Sequence, residues 1–162
     1  MELDNLIFDR TQADVNRVKT LTQKLIAGTA TGAEKSEWLA GMKGAYNASD
    51  LNRVGSAVEY LTDTLYSMGY NVPTVPKDDW TKTDIPTQTQ MTRYIENIHT
   101  LRDHLPYVAP DAPESATGLD YQKANNIEEI LYTLEQVLIA MQENSKLRQA
   151  NTFFMTSGGV LQ

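Results

Sequence analysis

The chain has 162 residues, 14 lysines and arginines against 21 aspartates and glutamates, a formal net charge of -7 and no cysteine. That length fits one domain with a substantial core, and the acidic balance offers no positive surface to neutralise phosphates, which argues against nucleic acid as a partner. Without cysteine there are no disulfides, thiolate nucleophiles or zinc–thiolate sites; no apolar run reaches the ~20 residues of a bilayer span, and the acidic start at Glu2 and Asp4 lacks the basic and apolar regions of a signal peptide.

The spacing of apolar residues predicts five helices. The first opens at Thr11 with Asp14 three residues on, a cap-like pair, and carries Val15, Val18, Leu21, Leu25 and Ile26 before Gly28. A short second helix, from about residue 32 to 42, is capped by Thr31 with Glu34 and presents Trp38, Leu39 and Met42. The third opens at Asn47, with Asp50 three later. Leu51, Val54, Val58, Leu61, Leu65 and Met68 fall on one helical stripe, and Gly69 closes it. Two prolines in 70–76 exclude a helix there and predict an extended arm or a single strand. Residues 77–86 read as a polar loop carrying Trp80. The fourth helix starts at Thr87, shows Met91, Tyr94, Ile95, Ile98, Leu101 and Leu105, and stops at Pro106. Pro106, Pro110 and Pro113 mark 106–120 as a surface loop or linker. The last and longest helix, from the Asp120 cap to about Leu147, carries Ala124, Ile127, Leu131, Leu134, Leu138 and Met141.

Four of these helices share a frame. Thr11, Asn47, Thr87 and Asp120 stand three residues before Asp14, Asp50, Gln90 and Lys123, and apolar or small residues recur at the same later offsets, Thr22 excepted. The first and third also share Asp-Val-Asn-Arg-Val (14–18) and Asp-Leu-Asn-Arg-Val (50–54). Capped amphipathic helices alone produce such likeness, and so does duplication of a helix-plus-loop unit. Both lead to an all-α fold: a bundle of four main amphipathic helices and one short one, with an extended arm after Gly69. The bundle domain spans 1–150. Residues 151–162 form an apolar, aperiodic tail expected to dock on the domain or on a partner.

The sequence holds few residues spaced for chemistry. His99 and His104 lie about 140° apart on a helix and make a poor metal pair. Glu96 and His99 form one Glu-x-x-His spacing where a di-metal bundle needs two. Glu128, Glu129 and Glu135 read as a solvated helix surface. Asp78, Asp79 and Asp84 lack the glycine and terminal glutamate of a calcium loop. No phosphate loop or nucleophile elbow occurs. No catalytic, cofactor-binding or metal-binding residue is therefore assigned, and no enzyme is expected. Trp38, Trp80, Tyr46, Tyr70, Tyr94 and Tyr121 sit near helix ends, where aromatic rings plug gaps or recognise a partner or sugar. Candidate partner-binding residues are Trp80, Tyr70 and Tyr46, with Phe153, Phe154, Met155, Val160 and Leu161 of the tail.

Four stretches carry a resemblance: Asn-Leu-Ile-Phe-Asp-Arg-Thr-Gln-Ala-Asp-Val (5–15), Glu-Trp-Leu-Ala-Gly-Met-Lys-Gly-Ala-Tyr-Asn-Ala-Ser-Asp-Leu-Asn-Arg-Val (37–54), Asp-Trp-Thr with Asp-Ile-Pro-Thr (79–87), and Ala-Asn-Asn-Ile-Glu-Glu-Ile-Leu (124–131). With them the chain resembles a family of small proteins and modules from phages and prophages of Gram-positive bacteria, found in tail, baseplate or tail-fibre regions and labelled minor structural proteins. The resemblance implies a non-enzymatic structural or adaptor module of a virion, assembled in the host cytoplasm, and brings no catalytic residues. Its implied partners are other tail or baseplate proteins, a second copy, or a host cell-surface glycan. A receptor- or glycan-binding module of a tail fibre is the alternative, and a carboxylate-based hydrolase ranks last.

Overall fold

A computed structural model describes residues 3–104 and 109–157, with side chains described as far as 148. The described chain is all-helical, with no strand. In order come α1 (Gln12–Ile26), α2 (Gly32–Ala40), α3 (Ala48–Ser67), α4 (Gln88–His104) and α5 (Tyr121–Ser157). The helix starts follow the local chemistry of the sequence. Thr11 with Asp14, Thr31 with Glu34 and Asn47 with Asp50 form reciprocal capping boxes. Thr87 and Gln90 do the same for α4, and Asp120 accepts the Lys123 amide at 2.9 Å.

The core lies among α3, α4 and α5. Val54, Leu61 and Leu65 of α3, Ile98 and Leu101 of α4, and Ile127, Leu131 and Leu134 of α5 lose essentially all solvent exposure there. α1 packs against α2 instead. Its stripe matches that of α3, yet only Leu21 is fully buried.

Three segments without regular secondary structure line the core helices. Residues 3–10 run antiparallel to α5: the Leu3, Ile7 and Arg10 amides donate to Glu135 Oε1 at 3.3 Å, Glu128 Oε2 at 2.6 Å and Asn125 Oδ1 at 3.1 Å. Residues 70–80 double back along α3, where Thr62 meets Thr74, Ser56 meets Asp78 and Asn52 meets Trp80. Residues 109–119 return along α4, with Asp111 at Arg102 and the Pro113 carbonyl 3.0 Å from His99 Nε2. Each segment also reaches a second core helix, through Arg10 to Asp50, Asn97 to Val75, and Asn126 to the Asp111 carbonyl. Each of the three helix–helix seams thus has its own strap.

A strap needs partners for its backbone polar groups, and no sheet supplies them. Three helix asparagines do. A carboxamide carries one donor face and one acceptor face, like a peptide edge. Asn52 grips Trp80, Asn97 grips Val75 and Asn125 grips Arg10, each accepting the residue's N–H and donating to its carbonyl at 2.7–3.1 Å. No strand forms in the arm after Gly69.

Residues 77–86 form the expected loop, with 77–80 pinned to α3, and one further expectation changes. α5 continues to Ser157, so 151–157 are helical and continuous with the helix that crosses residue 150.

Candidate partner-binding site

The end of α2, the turn into α3 and the 80–86 segment enclose a cleft of about 490 Å³. Gly41, with φ of +92°, turns the chain out of α2 and sends Met42 inward. Tyr46, Met42, Leu51 and Trp80 line the cleft, and Trp38 and Leu39 line its α2 side. The opposite rim is a tight turn. The Thr81 amide donates to Asp84 Oδ2 at 2.7 Å, and the Asp84 amide donates to the Thr81 carbonyl at 3.1 Å. Lys82 reaches across to the Leu39 carbonyl at 3.3 Å.

This geometry sorts the residues expected from the sequence. Tyr46 and Trp80 come together at the cleft. Trp80 is only 7% exposed, with the Lys77 ammonium 4.7 Å above its ring, so neither ring face is an open platform. Tyr70 follows α3 at Gly69 and is half-exposed, away from the cleft lining. Phe153, Phe154 and Met155 belong to the last turns of α5, and their side chains lie outside the described residues, as do Val160 and Leu161 altogether. The cleft is also lined by Trp38, one of the aromatic rings the sequence places near helix ends, and by Leu39, which the sequence shows only as part of the apolar face of the short helix.

Behind the cleft lies a buried ionic cluster that the sequence placed at the surface. Glu128 and Glu135 are 0% and 1% exposed. Glu128 Oε1 accepts from Arg10 at 2.7 Å and Arg53 at 2.8 Å, and its Oε2 accepts from the Ile7 amide and Arg53 Nε. Asp50 joins both arginines to the start of α3. Burial works to lower the Arg53 pKa, but its bonds to Glu128 and Asp50 prevail and raise it. Arg10 also sits 5.4 Å from the centre of the Tyr46 ring. The Tyr46 hydroxyl bonds to that of Tyr94, and burial raises both phenols above their ordinary pKa. A signal for this cluster does exist in the sequence: Glu128 and Glu135 each precede a core leucine, Leu131 and Leu138, by three residues on one helical face.

Two arginines balance Asp50 and Glu128, and the carboxylate oxygens of this pair are engaged in bonds. Such an arrangement fixes elements in place and leaves no free base for proton transfer. Among the described residues no group of His, Asp or Glu is placed to hold a metal ion, and no helix is long and apolar enough to cross a membrane.

Fold and site together define an all-helical domain whose core seams are covered by irregular straps. Comparison with protein-family models, curated proteins and solved structures finds no match to this chain.

Proposed function

We propose that the chain is a non-enzymatic structural or adaptor module of a phage or prophage tail or baseplate, contacting neighbouring proteins through the distal part of α5. The resemblance of segments 5–15, 37–54, 79–87 and 124–131 supports the setting. The four longer helices, the short α2 and the arm after Gly69 serve as the scaffold.

The observation that carries the adaptor role is the course of α5. Among the positions of α5 whose side chains are described, Met141 and Gln142 are the last substantially covered, residues 143–148 are all exposed, and Leu147 is 63% exposed. The helix continues to Ser157, about 24 Å beyond Met141 at 1.5 Å per residue. Isolated helical turns are marginal in water, and this stretch contains Phe153, Phe154 and Met155 in its sequence. A second surface that receives them accounts for both facts.

Quantitative mass spectrometry on purified particles from an induced lysogen of the source strain tests the role. The expected result is a stoichiometric copy number, with assembly weakened on deletion of 151–162. Absence from particles while present in the lysate overturns it. The glycan-binding alternative has weaker support, because Trp80 and Tyr46 are largely covered and Tyr70 stands apart from them. The hydrolase alternative needs a free carboxylate pair, and Asp50 and Glu128 are bound by arginines.

A further inference from the structure

We propose that the α2/80–86 face is a self-association surface, on which a second copy of this chain docks about a two-fold axis and each Ile85 enters the partner's cleft.

The two most conspicuous features of this face are a hole and a knob. The hole is the cleft floored by Met42, Leu51 and Trp80. The knob is Ile85, 88% exposed although its neighbours Asp84 and Pro86 both line the cleft. Across the opening stand Leu39 and Trp38, 70% and 39% exposed. An isoleucine and a leucine left this bare, beside an apolar cleft, form the kind of patch that monomers seldom leave uncovered.

A second copy is the occupant this layout selects. The knob adjoins the hole on one rim, so an axis passing between them inserts both knobs at once, as an isologous contact requires. The charges repeat the pattern. Lys82 and Asp84 both precede Ile85 on the same turn, one of each sign, and a two-fold axis brings Lys82 of one copy to Asp84 of the other. A surface with a knob beside its hole and a cation beside an anion is complementary to itself. The contact is independent of the distal α5 surface, and its test is independent of the particle experiment.

Sedimentation equilibrium on the full-length protein across the micromolar range tests the proposal. The wild type is expected to dimerise. Ile85→Asp and Leu39→Glu, both at highly exposed positions, are expected to weaken dimerisation on the order of tenfold or more with circular dichroism and unfolding midpoint unchanged. Lys82→Asp and Asp84→Lys each place like charges across the axis and are expected to weaken the homodimer. Mixing these two variants pairs opposite charges again, and a heterodimer is expected to recover. Loss of an internal turn contact cannot produce recovery on mixing. A monomeric wild type overturns the proposal and leaves the face to a different protein. A dimer insensitive to Ile85→Asp, or a charge pair that mixing does not rescue, overturns it equally.

Discussion

Arg10 and Glu128, 118 residues apart in sequence, meet at 2.7 Å in the interior, their side chains 2% and 0% exposed. Through this pair the first strap is bolted to α5. Glu128→Ala leaves Arg10 and Arg53 sharing the carboxylate of Asp50 and frees the Ile7 amide. Removing one member of a buried ion pair costs about 3–5 kcal/mol. Urea denaturation is expected to show a loss of that size, with hydrogen exchange of the Ile7 amide rising first. A loss below about 1 kcal/mol, the range of a surface pair, sinks the assignment of Glu128 to the core.

Gly55 makes the second strap possible. A Cβ at this position would overlap the Lys77 carbonyl and its carbon, both backbone atoms that no rotamer change can move aside. Gly55→Ala improves helix propensity, so propensity alone predicts stabilisation. Overpacking instead predicts a loss of about 1–3 kcal/mol. Thermal unfolding decides the sign, and a raised Tm would mean that the 72–80 segment does not lie in this seam.

What the sequence disclosed and what it withheld follow from range. Caps at Thr11, Thr31, Asn47, Thr87 and Asp120 depend on residues three positions away, and all five form. The stripes of α3, α4 and α5 point to the core as their spacing requires. α1 has an equally good stripe and buries only Leu21, because periodicity identifies a face without naming its cover. The straps depend on Asn52, Asn97 and Asn125, whose partners lie 22 to 115 residues away and leave no local pattern. Glu128 misleads for the same reason: a carboxylate on a helix reads as solvated until Arg10 and Arg53 are known to reach it. Trp80 belongs to a polar run, yet it joins the core cluster, gripped by Asn52 and covered by Lys77.

The Asn52 grip has an optical readout. The chain contains two tryptophans, Trp38 and Trp80, so a Trp38→Phe background isolates Trp80. Asn52→Leu in that background removes both backbone bonds to Trp80 while keeping side-chain bulk. Leaving the part-buried amide and carbonyl unsatisfied costs about 1–3 kcal/mol. Trp80 emission is expected to shift red and acrylamide quenching to rise, both before global unfolding. Unchanged emission in a destabilised variant would mean that packing, and not Asn52, holds Trp80 in place.

Glu34 gives the α1–α2 pair an acid dependence. The hydrogen bond from Lys24, then the Thr31 amide at the helix cap, hold its pKa at about 2 against an ordinary 4.5. Because the folded value is depressed, the unfolded chain takes up this proton first as pH falls. The stabilisation is complete above about 4.5, declines as pH falls, and is gone below about 2. Amide exchange protection across α2, followed by NMR, is expected to fall through that window. Asp14 and Glu37 are also held low, by Thr11 and Arg17 respectively, so the wild-type curve alone does not isolate Glu34. The difference between wild type and Glu34→Gln does, since the amide cannot titrate. Identical pH profiles in the two proteins would show that Lys24 and the cap do not hold this carboxylate in solution.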